Sequence, residues 1–155
     1  MRISFSPQLR SDALTLEITS GDRLRINGEL FNFDPLGEGD TIPAGATPCD
    51  WIIGPVDRID GEVCLTVILP HGEAPEPWQA FPEPLTVIEP GPIDIPSNTI
   101  VEVSEQPAEG GKLMIVTTRR WRQDPEVVET FVPDPPPEPE SAPQIETEEN
   151  ANVDA

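Results

Sequence analysis

The chain has very few of the residues that build metal centres and disulfides. Among 155 residues there are two cysteines and one histidine. Cys49 and Cys64 form no CxxC motif, and His71 is the only histidine, so neither a zinc site nor a disulfide framework can be assembled within the chain. We therefore expect both cysteines to be small core or boundary residues, and we expect no metal ion or other cofactor.

Motifs of known catalytic chemistry are also missing. The sequence contains no GxSxG, GxxxxGK or HExxH spacing, and Gly37-Glu38-Gly39 lacks the third glycine and the βαβ setting of a dinucleotide site. His71 has no neighbouring motif that supplies a nucleophile, which favours a structural turn histidine. Asp34, Glu38 and Asp40 could approach a calcium ion, but they do not match EF-hand spacing. The sequence predicts no catalytic, cofactor-binding or metal site and therefore a protein that is not an enzyme.

Positive charge is scarce. Nine basic residues face 29 acidic ones, which gives a net charge of −20. This charge repels nucleic-acid phosphates and anionic membrane surfaces, so we expect neither as a partner. No apolar run approaches the roughly 20 residues that span a bilayer, and residues 1–10 lack the apolar core of a signal peptide. Synthesis in the cytoplasm is the expectation.

Alternating apolar and polar residues, separated by turn dipeptides, dominate the first two thirds of the chain. Residues 2–6 predict an edge strand that ends at Pro7. A three-stranded meander is predicted to follow over residues 13–33, with turns at Gly21 and Asn27-Gly28. Residues 51–59 and 62–69 predict a hairpin around Asp60-Gly61, with a bulge or edge position at Gly54-Pro55. The second of these strands has apolar residues on both faces and should lie centrally in its sheet.

Shorter strands are predicted at residues 85–88, 93–95 and 99–104, and long connections at 34–50 and 70–84. The 34–50 connection is predicted to be an ordered loop or a place where another molecule packs. The second connection, with five prolines, should be extended rather than helical. Together these elements predict an all-β domain over residues 1–108, a small antiparallel sandwich or barrel of about eight short strands.

The C-terminal third of the chain has a different pattern. After Gly110-Gly111, two longer strands at residues 112–122 and 126–132 predict a hairpin arm, residues 109–132. Residues 133–155 hold seven acidic residues and no basic one, and six of residues 133–143 are proline. Such a segment buries too little apolar surface to fold alone, so it is predicted to be a disordered tail. An SH3-type ligand would also need a basic anchor, which is absent here.

Six residues are candidates for contact with a partner. Two of them, Trp78 and Phe81, lie in the proline-rich connection. Trp78 is predicted to be exposed, whereas Phe81, like Trp51 outside this set, is predicted to be a core residue. The others form the only basic patch, Arg119, Arg120, Trp121 and Arg122. Interleaved arginine and tryptophan can bind nucleic acid, but Glu126 and Glu129 follow on the predicted partner strand. The patch is therefore predicted to pair internally or to meet an acidic partner protein.

Three segments resemble a group of small β-rich proteins encoded among tail genes of long-tailed phages (siphophages) and Mu-like prophages of proteobacteria. They are SPQLRSDALTLEITSGDRLRINGELFNFDPLGEGDTIP, DWIIGPVDRIDGEVCLTVILPHG and FPEPLTVIEPGPIDIP. The resemblance covers about residues 1–96 and is weakest over residues 112–155. It carries no catalytic residues, and it implies a location near the tail tip or the fibres.

The leading hypothesis is a structural component of a phage tail, a tail-tip, baseplate or tail-fibre-associated protein made in the host cytoplasm and retained in the virion tail. Its partners would be other tail proteins, with its own oligomeric state left open. One alternative is a chaperone for tail-fibre assembly that leaves before the virion matures. A further alternative, an enzyme acting on host surface sugars, would require two carboxylates at glycosidase separation.

Overall fold

The computed structural model describes residues 1–137, and these form mostly β-strands with one short helix. In chain order the elements are β1 (Arg2–Leu9), β2 (Leu16–Ser20), β3 (Arg23–Ile26), β4 (Glu29–Asn32), β5 (Thr41–Ile42), β6 (Ile52–Ile59), β7 (Glu62–His71), α1 (Pro77–Ala80), β8 (Leu85–Thr86), β9 (Gly91–Pro92), β10 (Ile100–Ala108), β11 (Gly111–Arg119) and β12 (Glu126–Pro133). The all-β prediction is confirmed, although residues 1–108 hold ten strands rather than about eight, and the two strands predicted for the arm are β11 and β12. Most of the predicted tail, residues 138–155, lies outside the described residues.

The first sheet has the strand order β5-β6-β7-β1-β8. The β6–β7 hairpin is as predicted, since Asp60 and Gly61 take the positive φ values, 53° and 77°, that a tight two-residue turn needs. The pairing register of the hairpin shifts between Ile53 and Asp57, which confirms the irregularity predicted at Gly54. The predicted central position of β7 is also confirmed.

Strand β1 differs from its prediction in length, sheet and direction. It continues through Pro7 to Leu9, and it pairs in parallel with β7 in the first sheet instead of preceding the meander as an edge strand. Because Arg10 N–H donates to His71 O and amides alternate along a strand, the nitrogen of Pro7 faces away from β7. Strand β8 pairs only with Arg2 and Ile3, so no ladder bond is lost at the proline.

The second sheet has the order β4-β3-β2-β9 and contains the predicted meander. Asn27 and Gly28, with φ of 48° and 90°, form its second turn. The Asn27 side chain also accepts a hydrogen bond from Thr15 N–H at 2.7 Å and donates one to Ala13 O at 3.1 Å. The strand predicted at residues 93–95 lies slightly earlier, at β9, and the one predicted at 85–88 shortens to β8.

Both sheets contribute side chains to one buried core. Its fully buried members are Ile3, Leu24, Ile26, Val56, Val63 and Val67. Leu36, Ile42 and Cys49 of the long 34–50 connection pack against this core. The connection is therefore an ordered loop, which was the first of the two alternatives predicted for it. Each fully buried aliphatic side chain stabilises the fold by about 1.5–3 kcal/mol.

A one-turn helix interrupts the connection that was predicted to be extended. Pro77 occupies its first turn, where the missing N–H costs nothing. Gln79 is buried and its side-chain oxygen accepts a hydrogen bond from Glu76 N–H at 3.0 Å, which fixes the start of the helix. Within residues 1–137, no helix combines the length and the apolar character needed to cross a membrane.

Strands β10, β11 and β12 form a separate three-stranded sheet, here called the C-terminal sheet. The predicted arm had only two strands, and the structure adds β10 along the full length of β11. Glu109 and Gly110, the latter with φ of 73°, form the tight turn between β10 and β11, and Gly111 begins β11 opposite Ala108. The glycine pair therefore lies inside a hairpin and does not separate the first domain from the arm. The division at residues 108 and 109 stays a prediction, and it falls inside this hairpin.

Candidate protein-interaction surface

The C-terminal sheet has two faces that the strand register defines. Val103, Val116 and Val128 lie side by side across the three strands and therefore point the same way. Alternation along each strand extends this set to one face, here called the valine face. Its members are Val101, Val103, Glu105, Pro107, Lys112, Met114, Val116, Thr118, Glu126, Val128, Thr130 and Val132.

The opposite face, here called the mixed face, combines aliphatic, aromatic and charged side chains. Its members are Ile100, Glu102, Ser104, Gln106, Ala108, Leu113, Ile115, Thr117, Arg119, Val127, Glu129, Phe131 and Pro133, together with Gly111. Leu113 and Phe131 are direct cross-strand neighbours, with Ile115 two residues from Leu113 on the same strand. The polar residues lie mainly on the two outer strands.

Apolar side chains are exposed on both faces of this sheet. Val103 is 59% and Val128 is 49% exposed on the valine face, while Val127 is 55% and Phe131 is 49% exposed on the mixed face. In the described part of the chain, no residue of the sheet belongs to the buried core. Large exposed apolar surfaces are typical of protein or membrane interaction sites and of ligand-binding grooves, which makes this sheet the candidate surface.

The basic patch pairs with carboxylates of the same chain. Arg119 lies 3.3 Å from Glu102 on β10, and Arg120 lies 3.0 Å from Glu126 at the start of β12. Arg122 lies 3.6 Å from Asp94. The predicted internal pairing is therefore present through Glu126. The other acid predicted to pair, Glu129, lies opposite Ile115 instead.

The two candidate tryptophans, Trp78 and Trp121, contact other residues of the same chain. Trp78 is half-buried rather than freely exposed, and its indole N–H donates to Ser97 O at 2.7 Å. The Arg122 guanidinium lies 4.7 Å from the centre of the Trp121 ring, a cation–π distance. The Trp121 indole nitrogen is buried and has no hydrogen-bond partner among the described residues.

Two aromatic residues that were predicted to be core differ in burial. Phe81 is 85% exposed, so its assignment to the core is wrong and only its role as a contact candidate stays open. It follows α1 directly, and the helix turns it outward while Gln79 takes the buried position. Trp51 is half-buried, packs against the core and lies 4.6 Å beneath the Arg10 guanidinium.

Carboxylates of the 34–50 connection accept hydrogen bonds from two neighbouring turns. Asp34 accepts from Asp22 N–H at 2.9 Å and from Arg23 Nε–H at 2.7 Å, and Glu38 accepts from the amides of the Asp60-Gly61 turn. The backbone hydrogen bond from Asp22, helped by Arg23, lowers the pKa of Asp34. Across residues 1–137, no three acidic, histidine or cysteine side chains are grouped to hold a metal ion.

The histidine and the cysteines have ordinary structural environments. His71 ends β7, and its Nδ1 lies 2.7 Å from Gly72 O. Cys49 and Cys64 are free and half-buried. Burial raises the pKa of the Cys64 thiol, so little of it is the nucleophilic thiolate at neutral pH.

The sequence pointed to part of this surface and missed another part. The strands 112–122 and 126–132 were found from their apolar alternation, but β10 was assigned to the domain before the glycine pair. Its aliphatic residues, Ile100, Val101 and Val103, were the available signal. No protein family, curated protein or solved structure matches this chain.

Proposed function

We propose that this protein is a structural component of a phage tail and that it docks on neighbouring tail proteins through the C-terminal sheet. The observation that carries the proposal is the exposure of aliphatic side chains on both faces of that sheet. In the same proposal, the two N-terminal sheets pack face to face as a small sandwich. Their joint contribution to a single core supports that arrangement.

The edges of the C-terminal sheet add a second means of docking. Strands β10 and β12 each have one neighbouring strand within the described residues, so their outer amides and carbonyls are free to pair with another chain. A strand added at such an edge gains main-chain hydrogen bonds, and the side chains beside it give specificity. The neighbours would be tail-tip, baseplate or fibre subunits.

Purified virions test this proposal. Mass spectrometry of mature particles, and of tails separated from capsids, should detect the protein in the tail fraction at a fixed ratio to other tail subunits. Host proteins that co-purify provide the background control. Absence of the chain from mature particles would remove the proposal.

The alternative role, a chaperone for tail-fibre assembly, rests on the same uncovered strands combined with the net charge of −20. An acidic soluble chain could shield the edges of a fibre until the fibre assembles. Co-expression with a fibre protein distinguishes the two roles. A chaperone raises the soluble yield of the fibre and then leaves, whereas a structural component stays bound.

A further inference from the structure

We propose that the valine face is a self-association surface on which a second copy of this chain stacks its own valine face. The two sheets would form a six-stranded, two-layer unit related by a two-fold axis. The inference deepens the proposed docking function because it assigns one face of the same sheet to a second copy. The mixed face and the strand edges then serve the tail partners.

Charge is the first reason for choosing a second copy. Three of the twelve residues on the valine face are charged, and each has an ion-pair partner within the chain. Lys112 lies 2.9 Å from Glu105, and Glu126 lies 3.0 Å from Arg120. Two such faces therefore bring no unpaired like charges together, although the whole chain carries −20. Glu129, on the mixed face, has no cationic partner among the described residues.

The size of the face is the second reason. Its residues form four rows across three strands. With about 6.8 Å between rows and about 4.8 Å between strands, the face covers roughly 400 Å² in projection. Side chains protrude from the sheet, so the accessible surface is larger than this projected area. Two copies would bury about 1,000 Å² of accessible surface in total, which is near the lower limit for a specific interface. We therefore expect a weak, reversible dimer rather than a permanent one.

The chain's own C-terminal segment is a poorer occupant of the valine face. Residues 138–155 contain six acidic residues and no basic one, and their only large aliphatic side chains are Ile145 and Val153. Such a segment cannot cover four rows of apolar residues. A basic partner is also disfavoured here, because it would find no free carboxylate to pair with on this face.

Neighbouring valines on β12 provide a matched test. Val128 lies on the valine face and is 49% exposed, whereas Val127 lies on the mixed face and is 55% exposed. Sedimentation velocity of the full chain should show a concentration-dependent dimer for the wild type and for Val127→Glu. Val128→Glu buries one carboxylate of each copy in the apolar contact and should raise the dimer Kd by at least about tenfold.

Salt provides an independent readout. Raising NaCl from about 50 mM to about 500 mM screens repulsion between two acidic chains, so the wild-type dimer should become tighter. A wild type that stays monomeric at about 0.5 mM, equal effects of the two variants, or a dimer that weakens with salt would overturn the inference. The last result would point instead to an association driven by opposite charges.

Circular dichroism checks that each variant is folded. If Val128→Glu fails to fold, the same comparison uses Val101→Glu and Ile100→Glu, adjacent residues on β10 that are 59% and 55% exposed and point to opposite faces. Only Val101→Glu should weaken the dimer. The virion experiment stays separate, since a monomer found in tails defeats this inference alone, and a dimer absent from tails defeats the docking function alone.

Discussion

Replacing Arg58 with alanine should destabilise the N-terminal body more than any other removal of a charged side chain. The Arg58 side chain is 14% exposed and its guanidinium forms an ion pair with Asp22 at 2.6 Å. It also donates hydrogen bonds to the carbonyl oxygens of Phe33, Leu36 and Gly61. One side chain of the β6–β7 hairpin thereby holds the β2–β3 turn, the end of the meander and its own turn.

The expected loss follows from these contacts. A hydrogen bond to a charged group is worth about 1.5–3 kcal/mol, and such bonds are not additive when they share one donor group. Truncation also leaves the Asp22 carboxylate, 26% exposed, without its cation. We expect Arg58→Ala to lower the free energy of unfolding by about 3 kcal/mol. At about 3–4 °C per kcal/mol for a domain of this size, the Tm should fall by roughly 10 °C.

Urea unfolding, followed by tryptophan fluorescence, measures this loss. The control is Arg25→Ala, because Arg25 pairs with Glu17 at 2.8 Å but the two side chains are 42% and 40% exposed. Exposed pairs contribute at most about 1 kcal/mol, so the control should change little. Arg58→Lys keeps the charge without the planar donor group and should fall between the two. Equal losses for Arg58→Ala and Arg25→Ala would refute the reasoning.

Two further predictions concern the turns and the pH dependence. Gly61→Ala should cost about 1–2 kcal/mol because φ is 77° there, whereas Gly72→Ala, with open space and no positive φ, should be nearly neutral in the same urea assay. The folded state lowers the pKa of Asp34 from 3.8. Its stabilisation is therefore present above about pH 4 and is lost as the pH falls through the lower folded value. The Tm difference between wild type and Asp34→Asn should shrink over that interval, and a constant difference would contradict the assignment.

Local chemistry in the sequence was sufficient to predict the hairpins. Asn27-Gly28 and Asp60-Gly61 adopt positive φ at little cost, and the flanking residues alternate with a period of two, so turn and register agree. The double-sided apolar pattern of residues 62–69 likewise predicted a central strand. Each of these inferences needed only residues that are close together along the chain.

Pairings between distant residues could not be predicted in this way. The parallel contact of β1 with β7 joins Arg2 to Cys64, and nothing in the period of either strand specifies that partner or its direction. The place of β10 in the C-terminal sheet was missed for a related reason, because Gly110 and Gly111, which lie in the β10–β11 hairpin, also resemble a linker. The Pro77 helix was missed because the prolines around it favoured an extended chain.

The distribution of charge suggests how the two proposed contacts differ. Eight of the nine basic side chains form ion pairs with carboxylates of the same chain, and Arg2 is the remaining one. The unpaired charge of the described chain is therefore almost entirely negative, so two copies repel each other until their neutral valine faces meet. A tail partner that binds the mixed face near Glu129 would gain from basic residues of its own. Added salt should consequently strengthen self-association and weaken docking, and one salt titration of each contact would separate the two surfaces.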